Sequence, residues 1–334
     1  MKRKDFITLA SSASLALAFR PKKHNKSIGH NKVKPRRLKK GDTLGLIAPA
    51  SPIYSQTQFD AMLKNVSSLG FKVKIGSYAN SKYGYLAGTD EQRLEDLHSA
   101  FSDPDINGIM CIRGGWGSNR LLDMIDYSLI RDNPKVFIGF SDITSLHHAF
   151  LSQANLTTFH GPVGKSDWTA TTLRSFSNNL LEGDTEQHRF IDQNDGFILH
   201  PGKASGHLIG GNLTVLTSLI GSRYIADFEH AILFLEDVGE SVYRIDRMLT
   251  QLKLAGLLQK INGLVIGKFT DAKDGVNSLT LREMLEGHIR PLQIPAYYGA
   301  LISHEKDNIT IPVGCEASLD TDHLQLTVLE SGVL

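Results

Sequence analysis

The sequence lacks the cysteines and clustered ligands that define disulfide-bonded domains and zinc sites. Its 334 residues include two cysteines, Cys111 and Cys315, each in an apolar segment where a free cysteine behaves as a small hydrophobic residue. Two cysteines build neither a disulfide framework nor a zinc knuckle. His304 and Glu305 begin like a zinc-protease motif, but Asn308 stands where the second histidine is required. The sequence therefore predicts no metal site and no cofactor.

A large net charge and a long hydrophobic run are also lacking. The formal charge is +1, with much of the basic excess before Lys40, so we expect no nucleic-acid partner. The apolar stretch from Phe6 to Phe19 is too short to span a membrane comfortably. Hydrophobic residues make up 41% of the chain and charged residues 21%, as in soluble globular proteins, and the length suits two domains.

The N-terminus has the pattern of an export signal. Residues 2–4 are basic, the apolar stretch follows, and Ala16-Leu17-Ala18 offers a small-x-small cleavage site. This pattern predicts a signal peptide over residues 1–18 and a disordered linker over 19–37. The basic start resembles a twin-arginine signal in which lysine replaces one arginine. We expect an exported, periplasmic protein with no membrane span after cleavage; the alternative is a cytoplasmic one.

From position 43 onward, strand-like and helix-like segments alternate. Apolar runs such as Thr43–Ala50 are followed by amphipathic segments such as Gln56–Leu69. Such alternation predicts a mostly parallel sheet with helices on both faces. The expected fold class is α/β, with three regions: a flavodoxin-like, doubly wound parallel sheet over 38–165, a connector over 166–205, and a second α/β or α+β domain over 206–334.

A glycine-rich turn stands out within the first domain. Arg113-Gly114-Gly115-Trp116-Gly117-Ser118 joins the apolar run 109–112 to a segment with helical spacing from Asn119. A strand, a tight turn with serine and a helix form the geometry of a nucleophile elbow. Two other interpretations remain open on the local pattern: Ser118 is only a helix N-cap, or the glycines bind a phosphate.

Several further motifs, taken in order, resemble the LD-carboxypeptidase family of serine peptidases, which includes the microcin C self-immunity peptidases. Together they cover nearly everything from Leu38 to Gly314. The matching stretches are Gly45–Ser51, Gly84–Thr89, Arg113–Ser118, Gly139–Thr144, His160–Pro162, Gly206–Leu213, Phe234–Asp237, Ser303-His304 and Ile311–Gly314.

The resemblance implies a Ser–His–Glu triad divided between the two domains. Carried over by position, Ser118 is the nucleophile, Glu236 the acid and His304 the base. Histidine titrates near neutral pH and can take the proton of a serine hydroxyl, while a carboxylate holds its tautomer. One departure is Ser303, which stands where the family usually has glycine before the histidine.

The remaining site residues are expected around the glycine turn. An oxyanion hole is predicted from the backbone N–H groups of Gly115 and Asn119. Trp116 is a candidate wall of the substrate pocket, although a tryptophan beside a turn is as often a packing residue. Asp142 and Trp168 are further candidates for substrate binding, and Asp142 could equally cap the helix that follows it.

The activity implied by the resemblance is hydrolysis of the L,D amide bond to the terminal D-alanine of murein tetrapeptides, in peptidoglycan recycling or remodelling. The expected partner is a murein peptide substrate, and the assembly state, a homodimer included, is left open. One alternative is amide hydrolysis of a microcin C-like aminoacyl-nucleotide, with Trp168 stacked on the base. Another is a non-catalytic, two-lobed periplasmic binding protein.

Overall fold

The computed structural model describes residues 32–184, 187–189 and 196–334. The predicted signal peptide and most of the predicted linker lie outside these residues and stay predictions. The last part of that linker is structured, because Val33 pairs with Leu156 and the Lys34 ammonium lies 2.7 Å from a Glu330 oxygen. No helix in the described part of the chain has the length and apolar content needed to cross a bilayer.

The strands fall into two groups along the chain. Those of the first half are β1 Thr43–Ile47, β2 Lys72–Ile75, β3 Gly108–Cys111, β4 Val136–Gly139 and β5 Thr158–His160. Those of the second half are β6 Gln187–Arg189, β7 Phe197–His200, β8 Lys203–Asn212, β9 Ile232–Val238, β10 Gly263–Thr270, β11 Ala296–Ala300, β12 Ile311–Val313, β13 Glu316–Asp320 and β14 Gln325–Val328.

The α-helices alternate with these strands in both halves of the chain. Their bounds are α1 Gln56–Ser68, α2 Asp90–Ser102, α3 Tyr127–Asp132, α4 Thr144–Ala149, α5 Ala170–Ser177, α6 Leu213–Ser218, α7 Val242–Leu254 and α8 Leu281–Ile289. A capping box starts α2, since the side chains of Thr89 and Gln92 exchange hydrogen bonds with the backbone there.

Two sheets confirm the predicted α/β fold class. The first has the order β12-β5-β4-β3-β1-β2 and is parallel except for β12, which comes from the second half of the chain. The second has the order β6-β14-β13-β8-β9-β10-β11-β7, with a parallel centre from β8 to β11 and antiparallel strands on both sides. The central strands β3 and β4 are buried because helices cover both faces of the first sheet. Strand β9 is buried between helices on one face and apolar residues of β12, β13 and β14 on the other.

One predicted element is wrong. The segment from Asn119 was expected to be a continuous amphipathic helix, but the chain forms only a short 3₁₀ helix, Ser118–Leu121, and then α3. The Asp126 carboxylate caps α3 by accepting the N–H groups of Ser128 and Leu129, which starts a new helix there. Leu121, Leu122 and Ile125 are still buried, so the apolar spacing reflects packing rather than one helix.

The end of β8 lies directly against the start of α4. The Asn212 N–H donates to the Thr144 hydroxyl over 2.9 Å, and His148 Nε2–H donates to the Gly210 carbonyl over 3.1 Å. Gly211 has φ +133°, and a Cβ there would stand 2.4 Å from Thr144 Oγ1. Only glycine allows this approach, which fixes α4 against the end of the second sheet.

We therefore expect Gly211→Ala to lower the free energy of unfolding by about 3 kcal/mol or more, since it adds both a clash and an unfavourable φ. The control is Gly221→Ala, at φ +89° with no atom within 4 Å of the added Cβ. It should cost about 1 kcal/mol from the backbone conformation alone. Urea unfolding followed by circular dichroism measures both, and equal losses would contradict the packing argument.

Candidate active site

An acid–base pair lies at the carboxyl ends of the strands of the second sheet. Glu236 is in β9 and is completely buried, and His304 follows β11 and is largely buried. His304 Nδ1 donates to Glu236 Oε2 over 2.6 Å. The carboxylate thus fixes the tautomer and leaves Nε2 as the nitrogen that can accept a proton. The structure brings together these two residues, which are 68 positions apart in the sequence.

The electrostatics of this pair favour a charged imidazole when a proton arrives. Burial by itself would lower the pKa of His304, but the charge and hydrogen bond of Glu236 outweigh it and raise that pKa above the usual 6.5. Burial raises the pKa of Glu236, and the nearby His304 opposes that rise. A buried carboxylate whose main partner is the imidazole is therefore well placed to stabilise its protonated form.

The residue before the histidine, Ser303, has a structural role. Its buried hydroxyl accepts the Lys268 backbone N–H over 2.8 Å and so holds the His304 loop against β10. Farther along the loop, the Asp307 carboxylate accepts a hydrogen bond from the Thr169 hydroxyl over 2.5 Å. The serine that replaces the usual glycine thus supplies an additional anchor for the histidine.

The predicted nucleophile, Ser118, is placed differently. It is completely buried, and its hydroxyl oxygen lies 2.7 Å from Asp142 Oδ2, 2.6 Å from the Asp142 carbonyl oxygen and 2.7 Å from Ser145 Oγ. These contacts occupy the hydroxyl within the protein, and none of its hydrogen bonds among the described residues leads to His304. They do not fit a nucleophile. The physical reason is that Ser118 stands seven residues beyond the end of β3, after a loop that folds back into the core, and not on a sharp elbow.

Sequence reasoning missed a second serine, Ser141. It follows β4 after a single intervening residue, Phe140, and has φ +65°, a left-handed conformation rare for a residue with a side chain. A short 3₁₀ turn, Ser141–Ile143, begins at this serine, and α4 follows directly. Ser141 thus has the strand–turn–helix geometry of a nucleophile elbow, and it is only partly buried. The sequence feature that could have identified Ser141 is a serine shortly after the apolar segment Val136–Gly139 and before a helix.

The residue before Ser141, Phe140, lies next to His304. The ring of Phe140 lies 4.8 Å from the ring of His304, between centroids. On its other side, Ser141 packs against the glycine turn, because a Cβ added to Gly114 would stand 2.8 Å from Ser141 Cβ. Phe140 thus contacts the histidine loop, and Ser141, the next residue, contacts the glycine turn.

Gly115 remains a candidate oxyanion donor, and Asn119 does not. Gly115 is exposed, and it follows Gly114, the glycine that packs against Ser141. Its φ is +115°, and any side chain there would collide with the Ser51 hydroxyl. Asn119 was predicted as an oxyanion donor because it follows Ser118, and that reason does not apply when Ser141 is the candidate nucleophile. The Asn119 side-chain amide donates to Ser218 Oγ over 2.7 Å. The residue after Ser141 is Asp142, whose N–H belongs to a helical first turn and has no acceptor within that turn.

Asp142 is buried, and its carboxylate joins two loops. It accepts the N–H groups of Gly117 and Ser118 and lies within hydrogen-bond distance of the Ser118 hydroxyl. Burial raises the pKa of Asp142, while the hydrogen bonds from Ser118 and Gly117 oppose the rise. This position differs from the predicted role in substrate binding, because the side chain points into the protein and holds the glycine turn in place.

The two tryptophans lie in different surroundings. Trp116 is 48% exposed, next to Gly115, and its ring meets that of Tyr85 edge to face at 5.3 Å. Trp168 instead packs edge to face on Phe176 at 5.3 Å and lines a cavity of about 550 Å³ between α1 and α5. Trp116 is therefore at the candidate site, and Trp168 belongs to this separate cavity.

Comparison with known proteins agrees with this architecture. Residues 44–161 match the model of the LD-carboxypeptidase N-terminal domain, and residues 205–319 match that of the LD-carboxypeptidase C-terminal domain. The chain belongs to the LD-carboxypeptidase family.

Individual members of the family are similar over most of their length. A Bacillus subtilis (strain 168) relative named "Probable murein peptide carboxypeptidase" is 40% identical, with 90% of this chain and 95% of that protein covered. The crystal structure of muramoyltetrapeptide carboxypeptidase from Oxalobacter formigenes has a TM-score of 0.77 at 29% identity, covering 86% and 97% of the two chains. The microcin C7 self-immunity protein MccF in its apo state has a TM-score of 0.83 at 26% identity, covering 90% and 100%.

As a member of the LD-carboxypeptidase family, the chain is a serine peptidase and therefore a hydrolase. This excludes the alternative of a non-catalytic binding protein. In the described residues, no group of three or more potential metal ligands is found.

Removing the charge at Glu236 should affect both rate and pH dependence. A base works unprotonated, so activity should fall as the pH drops through the raised pKa of His304. In Glu236→Gln that pKa falls, which moves the acid limb of the pH–rate profile to lower pH. The maximal rate should drop by a factor on the order of 10³, because an amide cannot stabilise the imidazolium.

The matched control is Glu240→Gln, four residues along the chain. Glu240 is half-buried and lies 3.5 Å from the Arg244 guanidinium. Its loss should change kcat by about threefold at most and leave the acid limb in place. A near-normal Glu236→Gln enzyme beside an inactive Glu240→Gln enzyme would transfer the role of the acid to Glu240.

Proposed function

We propose that this chain hydrolyses the amide bond to the terminal D-alanine of murein tetrapeptides, with Ser141 as nucleophile, His304 as base and Glu236 as the acid that orients the base. The observation that carries the proposal is the backbone of Ser141. It is held in a left-handed conformation at the end of β4, one residue from a ring in contact with His304. Relatives named for murein peptides support the substrate class.

In the first half of the reaction, Ser141 Oγ attacks the carbonyl carbon of the scissile amide, and His304 Nε2 takes the hydroxyl proton. The imidazolium is stabilised by Glu236 at Nδ1. The negative oxygen of the tetrahedral intermediate is stabilised by the N–H groups of Asp142 and Gly115. When the C–N bond breaks, His304 returns its proton to the departing amino group of D-alanine, and an acyl ester on Ser141 remains.

In the second half, water attacks the ester carbonyl, and its proton goes to His304. The ester bond breaks, the proton passes to Ser141 Oγ, and the shortened peptide leaves as a carboxylate. No metal ion or nucleotide takes part in this scheme.

The alternative substrate, an aminoacyl-nucleotide, has less support in the structure. Trp168 was the candidate to stack on its base, yet the ring of Trp168 packs against Phe176 in the cavity between α1 and α5. MccF and its complexes are also structural relatives, and the murein substrate is supported by the relatives named for it.

Export to the periplasm also belongs to the proposal. The basic start and apolar stretch of residues 2–19 support it, and murein peptides occur in the cell envelope.

The decisive experiment compares two serine variants on defined muropeptides, with free D-alanine and the tripeptide product measured by mass spectrometry. Wild-type protein should release D-alanine without added metal. Ser141→Ala should lower kcat by a factor on the order of 10³–10⁶, because it removes the attacking atom. Ser118→Ala should keep measurable turnover and lose mainly stability, about 1–3 kcal/mol, through its buried hydrogen bonds.

An active-site phosphonate gives the matching control. It should label wild-type protein and the Ser118→Ala variant at Ser141, as located by peptide mapping, and leave Ser141→Ala unlabelled. An inactive Ser118→Ala enzyme that is fully folded, beside an active Ser141→Ala enzyme, would restore Ser118 as the nucleophile.

A further inference from the structure

We propose that four exposed aromatic side chains beside the glycine turn bind the glycan attached to the peptide substrate. This inference rests on the proposed function and adds a sugar subsite to it. The aromatic platform consists of Tyr54, Tyr83, Tyr85 and Trp116, which are 58%, 62%, 60% and 48% exposed. Large aromatic groups seldom cluster on a surface without a binding partner.

The platform is built from neighbouring loops that are joined by a hydrogen bond and by ring contacts. Tyr83 and Tyr85 lie on a tight turn closed by two backbone hydrogen bonds between Tyr83 and Leu86. The Tyr54 hydroxyl donates to the Gly84 carbonyl over 3.1 Å, and the Tyr85 ring contacts the Trp116 ring. Leu86 is buried beneath the turn and packs against Gly117. The rings are therefore held in place beside the glycine turn.

The charges around the platform are already paired. The Lys82 ammonium donates to the Tyr54 carbonyl over 2.8 Å. The Arg120 guanidinium donates three hydrogen bonds to the two Asp90 carboxylate oxygens, over 2.6 to 3.0 Å. Arg113 donates to the Pro52 carbonyl over 2.9 Å. What remains for a ligand is a set of neutral aromatic faces with hydroxyl and indole N–H groups at their edges.

This chemistry suits a sugar better than a charged peptide or a hydrophobic partner. A pyranose ring has an apolar C–H face and a rim of hydroxyl and acetamido groups. Tyrosine and tryptophan match it, because each offers a flat apolar face and a polar tip. Tyrosine and tryptophan are also enriched at protein–protein interfaces, so an interface between copies of the chain is the competing occupant.

The distance from the reacting bond also fits. Trp116 is two residues from Gly114, which contacts Ser141, so it lies within about 7 Å of that contact along the chain. The Tyr85 ring lies a further 5.3 Å from the Trp116 ring. Three residues precede the D-alanine of a murein tetrapeptide, and they span roughly 10 Å when extended. The muramic acid at the amino end of the peptide would therefore reach the platform.

The test is a binding titration that does not depend on hydrolysis. The chain has two tryptophans, so in the Trp168→Phe protein Trp116 is the single fluorophore of its kind. The probe is a peptide-free disaccharide of N-acetylglucosamine and N-acetylmuramic acid with its lactyl carboxyl capped as the amide. A saturable change in Trp116 fluorescence is expected, and Tyr85→Ala should weaken binding by about fivefold.

Two variants control for the ring and for the surface. Tyr85→Phe keeps the aromatic face and should bind within about twofold of the parent. Leu254→Ala removes an 82% exposed side chain at the end of α7 and should leave the titration unchanged. In kinetic assays, Tyr85→Ala should lower kcat/KM for the glycan-linked tetrapeptide several-fold more than for the free tetrapeptide, through KM.

The outcomes separate the subsite from the proposed function. Saturable disaccharide binding with no D-alanine release would overturn the murein peptidase proposal and keep the sugar site. D-Alanine release with no response to the disaccharide, or an equal effect of Tyr85→Ala on both substrates, would overturn the sugar site. A dimer that dissociates in Trp116→Ala protein, without a sugar response, would also overturn it and make the platform an interface between copies.

Discussion

The candidate site depends on one buried carboxylate. Asp142 accepts the backbone N–H of Ser118 over 2.8 Å and also that of Gly117, so a side chain from the loop after β4 holds the loop after β3. Backbone donors buried without an acceptor are costly, and this carboxylate satisfies two of them at once. As a result, the glycine turn and the serine elbow keep a constant separation. Oxyanion stabilisation requires that kind of preorganisation, because its donors must already point at the developing charge.

A second set of buried contacts fixes α4, the helix that follows Ser141, between the two sheets. His147 donates to the Gly139 carbonyl over 2.8 Å, and His148 donates to the Gly210 carbonyl over 3.1 Å. Burial lowers the pKa of each histidine to about 4, so both stay neutral and each can donate from one ring nitrogen and accept at the other. The adjacent histidines point to different partners. Together they tie α4, and with it Ser141, to β4 on one side and β8 on the other.

The topology explains how three distant segments contribute to the proposed site. In open parallel sheets, loops at the carboxyl ends of the strands form the binding crevice. Ser141 follows β4, Glu236 lies near the end of β9, and His304 follows β11. Strand β12 then returns to pair with β5, so the segment that follows the histidine loop becomes part of the first sheet. The two halves of the site are therefore held by backbone pairing as well as by side-chain contacts.

The sequence by itself determined the α/β alternation, which follows from periodic burial, and the family, which follows from its ordered motifs. The pairing of Glu236 with His304 came from the resemblance to that family, since the two residues are 68 positions apart. Only the tertiary structure gives a reason to prefer Ser141 to Ser118 as the proposed nucleophile. Both serines follow an apolar strand and precede helical residues, so the local pattern does not separate them. The difference lies in the left-handed φ of Ser141 and in the contacts of Ser118 with Asp142, 24 residues away. A backbone angle imposed by packing and a hydrogen bond between two loops exist only once the sheet has assembled.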